Sequence, residues 1–283
     1  MDHNAKPALP AELISSFQIT QAILVQTVPR AQIWQVETRH HGRAALKCYT
    51  SGHMGNEASG FPFLAQVQGP TATIYQITPN AVLMEWLDGP SLGDIARRGE
   101  GDVADRTLVE VAVEIHRQTK ELDIPGLLPL AHWFQALQSP LSDLALSSQH
   151  KGAMRRAQNL AEGLLASQVN IRPLHGDLHH ENIRLGPRGF CAFDAKGILG
   201  ERCYELANAF RHPTGLKCPL SAADLIGQRA HHWGQAFDVS PKRLLQWASA
   251  KCALSLAWRK GTDLQGDPDL DLLDQLLTVQ SRL

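Results

Sequence analysis

Between residues 174 and 194 the chain gathers side chains that can do chemistry. LHGDLHHENI carries His175, Asp177, His179, His180, Glu181 and Asn182, and FDAKG follows with Asp194. Two chemistries compete for them. Histidine and aspartate are good metal ligands. The HExxH spacing of a helical zinc site is absent, however, and the adjacent His179 and His180 would diverge on a regular element. Phosphoryl transfer needs one aspartate to orient the attacking hydroxyl. It also needs an asparagine and a second aspartate to hold magnesium against the phosphates. Its spacing is His-x-Asp, four residues, Asn, and then an Asp-bearing turn after a short hairpin. Here His175-Gly-Asp177 is followed by Asn182 with four residues between. NIRLGPRGFCAFD reads as two very short strands around a Gly-Pro-Arg-Gly turn, and Asp194 stands at its end. Each piece alone is weak, but order, spacing and hairpin together are specific.

Such a site needs a sheet that presents a phosphate-binding lysine. Before residue 88 the chain runs FQITQAILVQTV, AQIWQVETR, AALKCYT, ATIYQIT and AVLMEWL, short apolar runs between turn residues that read as strands. Taking the first three as 17–25, 31–38 and 43–49 puts Lys47 on the third. A helix expected at 55–67 offers Glu57 as the lysine's partner, although Pro62 within it predicts a kink or a break. The last run enters the linker DGPSLGD, and its backbone from Glu85 to Leu87 can hydrogen-bond an adenine.

After residue 88 the apolar spacing becomes helical, in TLVEVAVEIHRQ and AMRRAQNLAEGLLASQV. RLLQWASAKCALSLAW is apolar nearly all round, as expected of a helix buried among others. Trp233, Trp247 and Trp258 are expected to pack in that core. In the last helix Asp267 suits the cap and Pro268 the first position, and Asp269 and Asp271 suit the positive end of the dipole. The reading is a small sheet lobe, residues 1–87, and a larger helical lobe, 88–283, with a ligand cleft between them.

Composition narrows the class. Hydrophobic residues make up 43% of the 283 and charged residues 19%, an ordinary globular balance. With 27 basic and 28 acidic residues the net charge is -1, so neither nucleic acid nor an anionic membrane is the expected partner. Cys48, Cys191, Cys203, Cys218 and Cys252 are scattered and odd in number, which fits a reducing compartment. The first residues lack a signal-peptide pattern, and no run approaches the ~20 apolar residues of a membrane span. A cytoplasmic protein is expected.

HGDLHHEN, FDAKG, LMEWLDGPSL and YELANAFRHP closely resemble the antibiotic-phosphotransferase branch of the protein-kinase-like fold, most of all streptomycin 6-phosphotransferases and hydroxyurea phosphotransferases. The resemblance spans about residues 17–260. It implies an α+β fold of two lobes, with an antiparallel sheet and one helix in the N-terminal lobe and helices in the C-terminal lobe. It implies transfer of phosphate from ATP, with Mg²⁺, to a hydroxyl of a small molecule such as an aminoglycoside. Carried over by position, Asp177 would be the catalytic base, and Asn182 and Asp194 the magnesium ligands. Lys47 would bind the phosphates with Glu57 holding it, Glu85 and Leu87 would meet the nucleotide, and His175 would brace the loop. Glu181, Glu201 and Glu205 are candidates for the substrate side, where carboxylates would suit guanidinium or ammonium groups, and Tyr204 and Asn208 follow the hairpin near the same side.

Two departures stand out. QTVPRAQ, between the first two strands, has no glycine to cover phosphates, and Thr27 and Arg30 are the polar groups nearest to hand. The turn is Asp-Ala-Lys-Gly rather than Asp-Phe-Gly, which argues against a regulated protein kinase and leaves Lys196 facing either phosphate or solvent. Two rivals remain open: a housekeeping kinase of a sugar or amino alcohol, favoured by the near-neutral charge, and a non-catalytic nucleotide-binding module. Oligomeric state has no signature in the sequence.

Overall fold

The computed structural model describes residues 8–138, 146–216, 221–259 and 263–283. Helix α1 (Ala11–Ser16) leads into an antiparallel sheet of β1 (Ile19–Val28), β2 (Ala31–Thr38), β3 (Gly42–Tyr49), β4 (Ile74–Thr78) and β5 (Ala81–Glu85), in the order β1-β2-β3-β5-β4. Period-2 alternation gives this sheet two apolar faces. Trp34, Val36, Leu46 and Leu83 pack under Leu13 and Phe17 on one face. Ala31, Tyr49, Val82 and Met84 meet Met54 and Phe61 on the other. Strand β1 extends to Val28, further than the sequence indicated, because β1 and β2 are joined by Pro29 and Arg30 alone, with Val28 opposite Ala31.

The expected helix at 55–67 is two pieces. Gly55–Glu57 is a 3-10 turn, and α2 runs Gly60–Gln66. Pro62 falls in the first turn of α2, where its missing N–H has no helical partner to lose, so it starts the helix rather than kinking it. Phe63, Leu64 and Val67 of α2 bury in the core of the helical half.

Helix α3 (Leu92–Arg97) opens the second half on a capping box, with Ser91 accepting from Asp94 N and Asp94 from Ser91 N. It is followed by α4 (Gly101–Gln118), β6 (Leu128–Pro129), α5 (Leu130–Trp133), α6 (Ser148–Ala166) and β7 (Ile171–Leu174). The hairpin β8 (Ile183–Gly186) and β9 (Gly189–Ala192) comes next, and then β10 (Ile198–Glu201), which pairs with β7 and β6. A run of 3-10 turns at Arg202–Arg211 leads to α7 (Ala222–Ala236), α8 (Pro241–Ala257) and α9 (Pro268–Gln280). Asp267 caps α9 with Pro268 in its first turn. Helix α8 is buried along most of its length, and its Trp247 and Trp233 of α7 are fully enclosed. Trp258 departs from the expectation of core packing: it is 45% exposed at the end of α8, edge-on to Trp133. Four cysteines are buried free thiols, and Cys218 lies outside the described residues. Among the described residues no helix is long and apolar enough to cross a membrane.

Candidate active site

Strand β7 ends at Leu174, and the chain then turns through Gly176, whose positive φ of 80° puts it in the left-handed region that glycine tolerates. The loop is held from beneath. Glu205 is buried and accepts from His175 N and Gly176 N, both at 2.9 Å, and pairs with His116 Nε2 at 2.8 Å. His175 is buried, which lowers its pKa and keeps it neutral. Its Nδ1 accepts from Asp177 N at 3.3 Å and its Nε2 stands 3.0 Å from Phe193 O, so it ties the loop to the hairpin's exit. His180, also buried, meets Asp105 of α4 at 2.7 Å, and Arg229 of α7 holds the other oxygen of Asp105 at 2.9 Å.

These anchors leave Asp177 facing a surface pocket. Burial alone would raise its carboxyl, but the positive charges of Lys251 and Lys196 help hold it at about 2. His179 is also nearby, but burial keeps that imidazole well below its ordinary range and therefore neutral. Asn182 donates Nδ2 to Asp177 O at 3.0 Å. Its Oδ1, an acceptor only, is thereby the end left for a cation. Asn182 and Asp194 line one cleft of about 630 Å³ between the lobes, shared with Lys47, Glu57 and the run Met84–Leu87. Two hard oxygen donors at the mouth of a cleft fit the way magnesium is held, by one or two protein ligands plus substrate phosphates. Among the described residues no cluster of three or more His, Cys, Asp or Glu side chains converges on a metal.

Asp194 sits at φ 58°, a left-handed backbone uncommon for aspartate. The following turn packs so closely on α2 that a Cβ on Gly60 would lie 1.8 Å from Ala195 O, and one on Gly197 2.3 Å from Ser59 O. This approach brings four charges together. Lys47 Nζ meets Glu57 Oε2 at 2.6 Å and Asp194 Oδ1 at 2.7 Å. Lys196 Nζ meets Glu57 Oε1 at 2.9 Å and Asp194 Oδ2 at 3.7 Å. Burial would raise the Glu57 carboxyl, but Lys196 and Lys47 outweigh it and hold it at about 2. Lys196, left between phosphate and solvent by sequence, is a partner in this cluster. Lys47 and Glu57 pair although Pro62 follows, because the glutamate precedes the helix rather than riding on it.

Other candidates sit elsewhere than expected. Glu201 is buried in a two-pronged pair with Arg243, both oxygens at 2.6 Å, and Glu205 is taken up by the backbone of the loop above it, so both carboxylates are already occupied. Their carboxylates serve burial, where an unpaired charge would be costly. Glu181 lines the cleft but is held by Arg97 at 2.6 Å and Ser91 at 3.2 Å. Glu85 keeps its carboxylate on Thr73 and Arg188, and its N–H donates to Thr73 O at 2.8 Å. It therefore offers the cleft no amide, although the cleft wall runs on through Trp86 to Leu87. Val25, Gln26 and Val28 roof the cleft; Thr27 and Arg30 do not line it. Asp177 lines a second pocket with His179, Asn208, Arg211, His212, Lys251 and Trp258, of which the sequence pointed to His179 and Asn208 but not to Arg211, His212 or Lys251. One signal was available: Lys251 is the lone charge in the apolar stretch QWASAKCALSLAW.

A family described as aminoglycoside/hydroxyurea antibiotic resistance kinase matches residues 17–262. The chain belongs to this family of phosphotransferases. It is 35% identical over 209 residues to a streptomycin 3''-kinase of Klebsiella pneumoniae, covering 72% of this chain and 76% of that one. Solved structures with the same fold include an aminoglycoside phosphotransferase bound to ADP and hygromycin B, with a TM-score of 0.66 at 11% identity, covering 95% of this kinase and 97% of that chain. An amicoumacin kinase bound to AMP-PNP and Ca²⁺ also matches, with a TM-score of 0.66 at 12% identity over 97% and 94% of the two chains. The fold of this kinase is thus the two-lobed, protein-kinase-like one.

Proposed function

We propose that the enzyme transfers the γ-phosphoryl group of ATP to a hydroxyl of an aminoglycoside, streptomycin first among them. The observation that carries this reading is the grouping of Lys47, Asn182 and Asp194 in one cleft, with Asn182 also holding the backbone of Asp177, which lines a second pocket taken here as the acceptor's. The nucleotide would lie in the cleft, its base against Met84–Leu87 and its phosphates toward Lys47. Asn182 and Asp194 would hold Mg²⁺, which when bound offsets charge on the phosphates. Asp177 is ionised at neutral pH and so is ready to orient the acceptor hydroxyl and take its proton. Lys47 would exchange its contact with Asp194 for the phosphates, leaving that carboxylate to the cation. Little covalent chemistry falls to the protein, so positioning and electrostatics would supply the rate. We assign residues 1–87 to the nucleotide-holding lobe and 88–283 to the lobe of the catalytic loop.

One observation favours a second reading, a neutral hydroxylated acceptor such as hydroxyurea or a sugar. In the acceptor pocket Arg211 pairs with Asp269, and Arg259 with Asp267 and Asp269. Among the described residues lining it, Asp177 is the one carboxylate left to greet a cationic substrate.

ADP release with Mg²⁺ and ATP, measured across streptomycin, other aminoglycosides, hydroxyurea, sugars and amino alcohols, tests both readings. Turnover of streptomycin with a gain of one phosphate in mass supports the first. Product NMR then tells a 3''-phosphate, as made by the Klebsiella relative's named activity, from a 6-phosphate. Turnover of neutral acceptors alone would replace the first reading with the second.

A further inference from the structure

The two carboxylate oxygens of Asp177 are not equivalent. Oδ1 accepts from Asn208 Nδ2 at 2.8 Å, with His179 Nε2 4.0 Å away. Oδ2 has no hydrogen-bond partner among the described residues. The direction of the Asn208 amide follows from its far end. Its Oδ1 accepts from Arg211 Nη1 at 3.0 Å and from Lys251 Nζ at 3.1 Å. Guanidinium and ammonium groups only donate, so they fix the amide's oxygen toward themselves and its NH₂ toward Asp177. Arg211 is itself clamped on Asp269, at 3.2 and 2.6 Å. Lys251 is 4% exposed, rests on Ser255 Oγ at 2.9 Å one helical turn on, and lies 5.0 Å from the ring centre of Trp258. A lysine is rarely buried this deeply without a partner or a task. Here its partners are an amide, a hydroxyl and a ring face, none of which neutralises it. Burial lowers its pKa to about 8, with Asp177 acting against that shift, so it still carries its charge at neutral pH.

We propose that Lys251 and Asn208 are positioning residues that make Oδ2 of Asp177 the base. Lys251, with Arg211, sets the Asn208 amide, and the amide holds Oδ1. The acceptor hydroxyl is thereby directed to Oδ2. As its oxygen bonds to the γ-phosphorus and the bond to the bridging oxygen of ADP breaks, its proton passes to that one oxygen. Without the lock the carboxylate turns about its Cβ–Cγ bond and offers either oxygen. The proposal rests on the phosphoryl-transfer reading above.

The test is a double-mutant cycle on Asn208→Ala and Lys251→Met, each first checked for native fold by near-UV circular dichroism. Two rates are read with Mg²⁺ and ATP: transfer to the best acceptor of the panel, and slow hydrolysis of ATP by water. Each single variant is expected to lower kcat about tenfold to a hundredfold, the scale of a misplaced catalytic group. KM for ATP should stay within about twofold, since neither side chain lines the nucleotide cleft. Because Lys251 acts through Asn208, the double variant should be no slower than Asn208→Ala alone. Multiplying effects, or a wild-type kcat in Lys251→Met, would overturn the proposal. If Lys251→Met does not fold, a wild-type kcat in Asn208→Ala overturns it equally. Should no acceptor be turned over while ATP hydrolysis persists, the substrate reading falls alone and the cycle is read on hydrolysis. A wild-type protein that turns over no ATP at all removes both.

Discussion

Asp177 carries the sharpest prediction at the scale of single residues. Asp177→Asn keeps the size and the Asn208 contact but removes the base. A fall in kcat of about 10²- to 10⁴-fold is expected, with ATP affinity by calorimetry unchanged. Near-normal turnover would mean that another group takes the proton. Lys47 sits between Glu57 and Asp194, so Lys47→Met deletes the proposed phosphate contact and leaves Lys196 alone to pair the two carboxylates. KM for ATP should rise and kcat fall, both by about tenfold or more, whereas Glu57→Gln, which leaves the lysine one partner, should do less. The grouping of Asp177, Asn182, Asp194 and Lys47 was legible because transfer chemistry would demand those types in that order along the chain. Lys251 was not, and although Asn208 was read near the substrate side, its place against Asp177 was not, since Lys251 and Asn208 meet only when α8 packs against the segment 202–211. Glu201 and Glu205 misled for the same reason: nothing local distinguishes a carboxylate aimed at a substrate from one buried against Arg243 or His116.

At the scale of elements, the turn after Asp194 and the start of α2 depend on each other. Gly60 and Gly197 let two backbones touch, and this contact brings Glu57 and Lys196 to Asp194. Gly60→Ala puts a methyl on the carbonyl of Ala195, a backbone atom that cannot swing aside. A loss of about 1 to 3 kcal/mol is expected from overpacking, together with a raised KM for ATP as Glu57 moves off Lys47. Urea unfolding and steady-state kinetics check the two parts, and a variant as stable and active as the parent would refute the coupling. The strands and long helices were readable because their apolar periods persist over several residues. The split of 55–67 into a turn and a helix was not. Pro62 was the right signal, but whether it breaks a helix or begins one depends on where the tertiary contact at Gly60 starts that helix.

For the whole molecule, the division of sequence at the linker is not a division of packing, because Phe63, Leu64 and Val67 of α2 bury in the helical core. The loop that carries Asp177 is braced within the helical half by buried polar groups, many of them histidines. His116, His175, His179 and His180 are pushed down by burial, and His212 falls to about 4 through burial and then Arg211. An unfolded histidine binds its proton near pH 6.5. Below that pH the unfolded chain holds more protons than the native one, so stability must fall as pH falls. A histidine kept neutral in the native state costs up to about 1.4 kcal/mol for each pH unit below its unfolded pKa, until its own native pKa is reached. Against a typical stability of about 5 to 15 kcal/mol, several such groups acting in the same direction make the native state measurably weaker as pH falls through the histidine range. The carboxylates Glu57 and Asp177, each held at about 2, add their loss only below their unfolded pKa values near 4. Near-UV circular dichroism and Tm followed from pH 8 to 4 should therefore decline in the histidine range first. Replacing His212 with Gln removes one proton-binding group and should make the slope between pH 6.5 and 4 shallower. A Tm flat from pH 7 to 5 would contradict the neutral, buried state of these histidines, and with it the bracing assigned to the catalytic loop.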